Sequence, residues 1–286
     1  MRTTGMFTTH SYTIDFENIG ETLYLIPFGD VHRSAPLCNL DKWNEFLEWG
    51  EKKQRCYFIG MGDYDDFIST SERKIFSNKD LHDSTMETIE GMYLSHTLRF
   101  AKETKFMEGK LIGLIEGNHF GSFQNGMTTT MKLAELLHTK YLGVATFIRL
   151  SFTHKKRRFA SLDLYAHHGK GGSGRLVGSS LNNVQNMGEM AEADIYLMGD
   201  NHKKIVGTQT RFRLTQGKGG INKTDRKIFF VRTGSFLESY QDGKVSYVAD
   251  ACLSPSDLGL VKLELTPKRK QTKNETRTYI DIHASL

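Results

Sequence analysis

Apolar runs of strand length recur along the chain: TLYLIPFGD, CYFIGMGD, LIGLIEGNH, FASLDLYAHHG and DIYLMGDNH. Most are continuously apolar, as a strand covered on both faces must be. Each stops on Asp, Asn or His. Between the first three lie segments of helical period. LDKWNEFLEWGEKK puts Leu40, Trp43, Phe46 and Leu47 on one face, and TMETIEGMYLSHTLRFAKE precedes the third run. Strand, helix, strand, helix, strand predicts parallel βαβ units. TTTMKLAELLH and LNNVQNMGEMAEA predict two more helices. From about Thr146 the strand candidates crowd together: TFIRLSF, RRFASLDLYA, KKIVGTQTRFRL and RKIFFVRTGSF read as hairpins of a mixed second sheet. The class is therefore α/β. Without an internal repeat or a low-complexity linker, residues 1–286 are expected to form a single domain. Residues 64–110, longer than a tight connection needs, are a candidate helical lid, and 266–286 a basic C-terminal tail.

Composition narrows this little. With 286 residues, 38% hydrophobic and 25% charged, the chain can bury a large core and is not a disordered polymer. No apolar run reaches bilayer-spanning length, and MRTTGMFTTHSYTIDF has no apolar stretch of signal-peptide type, so a cytoplasmic protein without a membrane partner is expected. Cys38, Cys56 and Cys252 are scattered, without the CxxC pairs of a zinc ribbon or the pattern of a disulfide framework. The net charge of +5 is concentrated in HKKRR (154–158) and PKRKQTK (267–273). That suits an anionic partner, nucleic acid included, and equally a solvated hairpin with a frayed tail.

The run ends carry the chemistry: Asp30 and His32 in GDVH, Asp63 in GMGDYDD, Asn118 and His119 in EGNH, His168 in HHG, Asp200 and His202 in GDNH. Taken alone, Gly-Asn-His after an apolar run describes a solvated turn as readily as a ligand. Together, carboxylates, imidazoles and an amide are the donor set for two divalent cations, with hard oxygens, borderline nitrogens and a carboxylate able to bridge. Asp30 and His32 stand two apart, as do Asp200 and His202, so strand alternation predicts that each pair points one way.

In this order the motifs resemble those of the calcineurin-like metallophosphoesterases, phage-type members among them, whose series runs D-x-H, GD-x-x-D, GNH-D/E, a later His, and GH-x-H. The resemblance covers roughly residues 24–205. It implies an αββα fold, two mixed sheets packed as a sandwich flanked by helices, and a binuclear centre that hydrolyses phosphoesters by attack of a metal-bridged hydroxide. It implies Asp30, His32 and His202 as ligands of one metal, Asn118, His168 and Asp200 as ligands of the other, and Asp63 as the bridge. His119 resembles the imidazole that contacts the phosphate and protonates the leaving oxygen, and Asp66 the last acid of GD-x-x-D. Of the two histidines in HHG, His168 rather than His167 matches the motif by preceding the glycine.

This chain departs from the pattern twice. Asp200 stands where the family usually has a His, which favours hard cations such as Mn²⁺ or Mg²⁺, a weakened second site being the competing reading; Mn²⁺ is expected first, with Mg²⁺, Zn²⁺, Fe²⁺ and Co²⁺ as alternatives. Phe120 stands where the family usually has an acid, which leaves Glu116, Asp65 and Asp66 as candidates to orient His119. The GKGGSGR stretch lacks the ending of a P-loop, although Lys170 or Arg175 in it could approach a phosphate. The expected function is a metal-dependent phosphodiesterase acting on nucleotide-type or other small phosphoesters. A nuclease using the same site is one alternative, and a catalytically weakened metal-binding interaction scaffold another.

Overall fold

The structure, a computed structural model, describes residues 9–67, 83–169, 176–217, 220–250, 252, 254–271 and 276–286. Along the chain come β1 (Thr9–Phe16), β2 (Leu23–Phe28), α1 (Leu40–Lys52), β3 (Cys56–Gly60), α2 (Asp83–Glu103), β4 (Leu111–Leu114) and α3 (Thr129–Leu136). Then follow β5 (Ala145–His154), β6 (Arg157–His167), α4 (Val177–Met190), β7 (Ile195–Met198), β8 (Lys204–Gly217) and β9 (Gly220–Ser235). A short α5 (Tyr247–Asp250), β10 (Gly259–Leu260), β11 (Lys262–Gln271) and β12 (Thr276–Ser285) complete the chain.

Two mixed sheets result. One has the order β12-β11-β2-β3-β4, parallel from β2 to β4 and antiparallel at β11. The other has the order β1-β5-β6-β7-β9-β10, with β8 antiparallel on β9. Leu25, Met61, Leu150, Leu164, Leu197 and Val231 fill the space between the sheets. The outer face of the first sheet, with Phe28 and Phe58, packs on Trp43, Phe100 and Leu133 from α1, α2 and α3. The outer face of the second, with Tyr165 and Tyr196, packs on Val184 and Met187 of α4. Alternate residues of β2 thus enter two different cores, which is why its sequence is continuously apolar. The architecture is the αββα sandwich that the resemblance implies. Among the described residues no helix is long and apolar enough to cross a membrane.

Helix α1 shows how sequence fixes a local element. Asn39 caps its start by accepting from Lys42 N at 2.9 Å, and Trp43, at 0% exposure, anchors the apolar face. Trp43 Nε1 donates to Glu103 Oε2 (2.9 Å), and the same carboxylate takes a forked contact from Arg33. Truncating such a Trp to Ala costs about 3–5 kcal/mol. Leu40, expected on that face, is instead exposed, because it is the first residue of the helix.

Two segments singled out in the sequence take these places in the fold, and one strand is new. The basic tail at 266–286 is, where described, strands β11 and β12, paired from Lys262↔Ser285 to Gln271↔Thr276 on the edge of a sheet. Leu263 and Leu265 are buried at period two, and the lysines and arginines occupy the end that runs into solvent. Of the candidate lid, 68–82 lies outside the described residues, while α2 packs into the helical layer through Tyr93, Thr97, Phe100 and Ala101. Strand β1, unforeseen, adds parallel to β5 through Ile14 and Phe16.

Candidate metal centre

The polar residues do not sit on the strands. β2 ends at Phe28 and β7 at Met198, so Asp30, His32, Asp200 and His202 lie beyond, in turns. Strand alternation is therefore not what aligns them. Asp30 (φ 46), His32 (φ 47), Asp63 (φ 50), Asp200 (φ 69) and His202 (φ 58) all have left-handed backbones. Outside glycine that conformation costs about 1–2 kcal/mol per residue and persists only where the surroundings enforce it. Here they do. Asp30 N donates to Gly62 O (3.0 Å), Val31 N to Asp63 O (2.8 Å), and Asp200 N to both oxygens of Asp30 (3.0 and 3.1 Å). The backbone must also approach closely: a Cβ on Gly62 would lie 2.5 Å from His168 Nδ1, and one on Gly117 1.9 Å from Asp63 Oδ1.

The turns bring all eight singled-out residues to one end of the sandwich. Asp30, His32 and His202 each direct one ligand atom into a cluster within 4.8 Å, and Asp30, Asp63 and His168 form a second. Asp63 lies between the two, with Oδ2 3.7 Å from His32 Nε2 and 3.3 Å from His168 Nε2, and Oδ1 accepting from His119 N at 2.9 Å. His168 Nδ1 donates to Met61 O (2.7 Å), which leaves Nε2 as the nitrogen facing Asp63 and Asp200. Asn118 Nδ2 donates to Asp200 Oδ1 (2.8 Å). His167 turns away, its Nδ1 accepting from Gly169 N at 2.8 Å. Lys170 and Arg175 lie outside the described residues.

Whether these residues suit a cation can be tested on their own atoms. His32 Nε2, His168 Nε2 and Asp200 Oδ2 are buried and have no hydrogen-bond partner among the described residues. Orphaned buried polar atoms cost about 1–3 kcal/mol each, a cost that coordination removes. With nitrogen and carboxylate donors converging, the set fits divalent metal ions.

The electrostatics point the same way. Burial, with Asp63 and Asp200 close by, pushes the Asp30 carboxyl up to about 7 against the opposing histidines. Burial presses on His168 too, but Asp63 and Asp30 outweigh it and raise the imidazole to about 10. Asp63 is held below the usual carboxylate range, burial notwithstanding, by His168 and His32. Burial, then the neighbouring His32, take His202 down to about 3.

Asp66 faces His119 where Phe120 cannot. Its Oδ1 is hydrogen-bonded to His32 Nδ1 at 3.0 Å and lies within ion-pair distance of His119 Nδ1, at 3.1 Å, without hydrogen-bond geometry. The other candidates are engaged elsewhere. Asp65 holds its own loop, accepting from Ser34 N (2.8 Å) and Asp66 N (2.9 Å) and pairing with Arg99 (3.1 Å). Glu116 accepts from Thr128 Oγ1 (3.0 Å). Sequence reasoning missed Arg232, fully buried on β9, whose Nη1 donates to Gly199 O (2.7 Å) and Nε to Ser180 O (3.0 Å). Its signal was present: a lone cation inside the apolar stretch IFFVRTGSF.

No family model and no curated protein matches the chain. Among solved structures, Vps29 from Entamoeba histolytica complexed with Zn²⁺ is similar at 9% identity over 92% of this chain and 99% of that one, with a TM-score of 0.37. Vacuolar protein sorting 29 from Cryptosporidium parvum is similar at 12% identity over 94% and 100%, TM-score 0.34. A conserved uncharacterized protein from Streptococcus pneumoniae TIGR4, described as a predicted phosphoesterase, is similar at 8% identity over 91% and 99%, TM-score 0.31. These likenesses are distant.

Proposed function

We propose that the chain is a calcineurin-like metallophosphoesterase, a phosphodiesterase of nucleotide-type or other small phosphoesters that works with two divalent ions, Mn²⁺ first. The observation that supports this most is Asp63, set between two buried imidazole nitrogens that have no hydrogen-bond partner among the described residues. Asp30, His32 and His202 would hold one ion, Asn118, His168 and Asp200 the other, and Asp63 both. When bound, the ions supply Lewis acidity toward phosphoryl oxygens and a water of lowered pKa.

The chain's residues do the rest. Asp66 pairs with the His119 ring at Nδ1, which leaves Nε2 to deliver a proton to the leaving oxygen. The Met61 carbonyl holds His168 in the ligating tautomer. The intact His119–Asp66 contact favours catalysis over a scaffold role. Free Cys38, Cys56 and Cys252 suit a reducing cytoplasm.

Manganese-dependent hydrolysis of bis-p-nitrophenyl phosphate, abolished in Asp63→Asn, is the direct test. A wild-type protein that binds two ions and hydrolyses no phosphoester in a screen of monoesters, cyclic nucleotides and DNA would refute the enzyme reading. His119→Ala then separates roles. It should keep both metals and lose on the order of 10²–10⁴ in rate on an alkyl or nucleoside ester but far less on the nitrophenyl ester, whose leaving group needs no proton. Equal losses would make His119 a phosphate contact only.

A further inference from the structure

The two basic segments that the metal centre does not use lie more than a hundred residues apart in the chain. The fold joins them. β12 passes the start of β6, where Thr278 Oγ1 donates to Phe159 O. Beside this crossing opens a groove of about 620 Å³ lined by Arg158, Arg226, Lys227, Lys270, Arg277 and Tyr279 among others. β6 runs from this groove to the metal centre: ten residues separate Arg158 from His168, about 30 Å at 3.3 Å per residue. The groove is therefore a separate site.

Its charge is not balanced from within. Three acids line it. Asp194 is taken by Arg226 (2.6 Å), Asp281 by Lys268 (2.5 Å), and Asp225 lies 3.8 Å from Lys223. Arg158, Lys227, Lys270 and Arg277 are exposed, and among the described residues none of them has a carboxylate within ion-pair distance. Two of these cations are also placed against the rules of stability. Lys270 and Arg277 stand directly opposite in the β11–β12 register, where like charges destabilise an antiparallel pair. A local violation of this kind is expected where a ligand supplies what the fold does not.

We propose that the groove binds the sugar-phosphate backbone of a nucleic acid. The unmatched cations are spread over β6, β9, β11 and β12, which suits a polyanion better than one phosphate group, and Tyr279 adds an aromatic surface to the lining. The phosphoester reading bears on this only in what the bound strand would be for. Binding itself is tested without catalysis.

The test is fluorescence anisotropy of a labelled 30-nucleotide single strand, and of the matching duplex, against the full chain in EDTA over a salt series. Wild-type affinity should fall linearly on a log–log plot with salt. The double variant Lys270→Gln/Arg277→Gln should bind at least tenfold more weakly at 50 mM salt. Its slope should be shallower by about 1.4 for the single strand and about 1.8 for the duplex, the loss of two phosphate contacts. Because the substitutions relieve a repulsion, the variant should also melt no lower than wild type. Unchanged affinity and slope would overturn the proposal. So would a groove whose loss abolishes binding to inorganic polyphosphate or to anionic vesicles and leaves nucleic-acid binding intact. A protein that binds DNA here but hydrolyses nothing would leave the groove standing and remove the enzyme reading alone.

Discussion

Gly117→Ala adds one methyl group at the tightest point of the metal centre. The new Cβ would stand 1.9 Å from Asp63 Oδ1 and 2.3 Å from Asp63 N, against 3.4 Å for ordinary contact. The neighbour is a backbone nitrogen and a short carboxylate pinned by His119 N, not the far end of a flexible chain. Reaching ordinary contact moves the carboxylate by about 1.5 Å, whereas ligand distances tolerate about 0.2 Å. The bridging position proposed for Asp63 would be lost, and a misplacement of about 1 Å costs about 10²-fold in rate. Overpacking adds about 1–3 kcal/mol of destabilisation, a melting shift of roughly 2–4 °C per kcal/mol at this chain length.

The assay is metal content by mass spectrometry after gel filtration, alongside hydrolysis and melting in EDTA, so that loss of metal and loss of fold are read separately. Gly91→Ala is the control. Its Cβ meets nothing within 4 Å on helix α2, so it should be neutral or stabilising. Two ions bound at wild-type affinity, with activity within twofold, would refute the placement of Asp63 at the centre of the site.

The shared oxygen of Asp66 predicts that Asp66→Asn weakens metal binding about 10–100-fold while the fold survives; titration calorimetry that finds no change would remove its role in orienting His32. Metal binding should release protons at pH 7, because His168, raised to about 10, must lose its proton to ligate and Asp30, raised to about 7, is half protonated. Affinity for Mn²⁺ should therefore rise with pH, and calorimetric enthalpies that do not vary with the buffer's ionisation enthalpy would contradict it. Asp200→Ala should weaken one ion selectively and Asp200→His should tilt preference toward Zn²⁺ or Co²⁺, which competition between metals would show.

What was legible in the sequence follows from which physical signals are local. The βαβ half could be read because β2, β3 and β4 are buried on both faces and so continuously apolar. Strand β1 escaped because only Ile14 and Phe16 of its eight residues are buried and the rest is polar. The β11–β12 hairpin escaped because a basic run drew attention from the alternation of Leu263 and Leu265. At the site, the residue types could be read from polar groups that end apolar runs. Their convergence was implied by the motif series, whereas strand alternation could not give it, since that assumes extended backbone and five of these residues are in left-handed turns. The partner of His119 could be narrowed only to Glu116, Asp65 and Asp66, because Asp66 reaches it across 53 residues of chain.

Arg232 changes what the aspartate at 200 means. A centre with Asp30, Asp63 and Asp200 carries one carboxylate more than a His-bearing equivalent, which would overbind its cations and repel an anionic ester. The guanidinium is bonded to the Gly199 carbonyl just before that additional charge, and each favours the ionised form of the other, but burial outweighs this at both, raising the Asp200 carboxyl and bringing the arginine down to about 10. Counting Asp30, Asp63 and Asp200 alone, the fixed guanidinium cuts three negative charges to two. Under the two-ion reading proposed above, the loaded centre would then carry the positive charge that an anionic ester needs, and a Met at 232 would leave it one positive charge poorer.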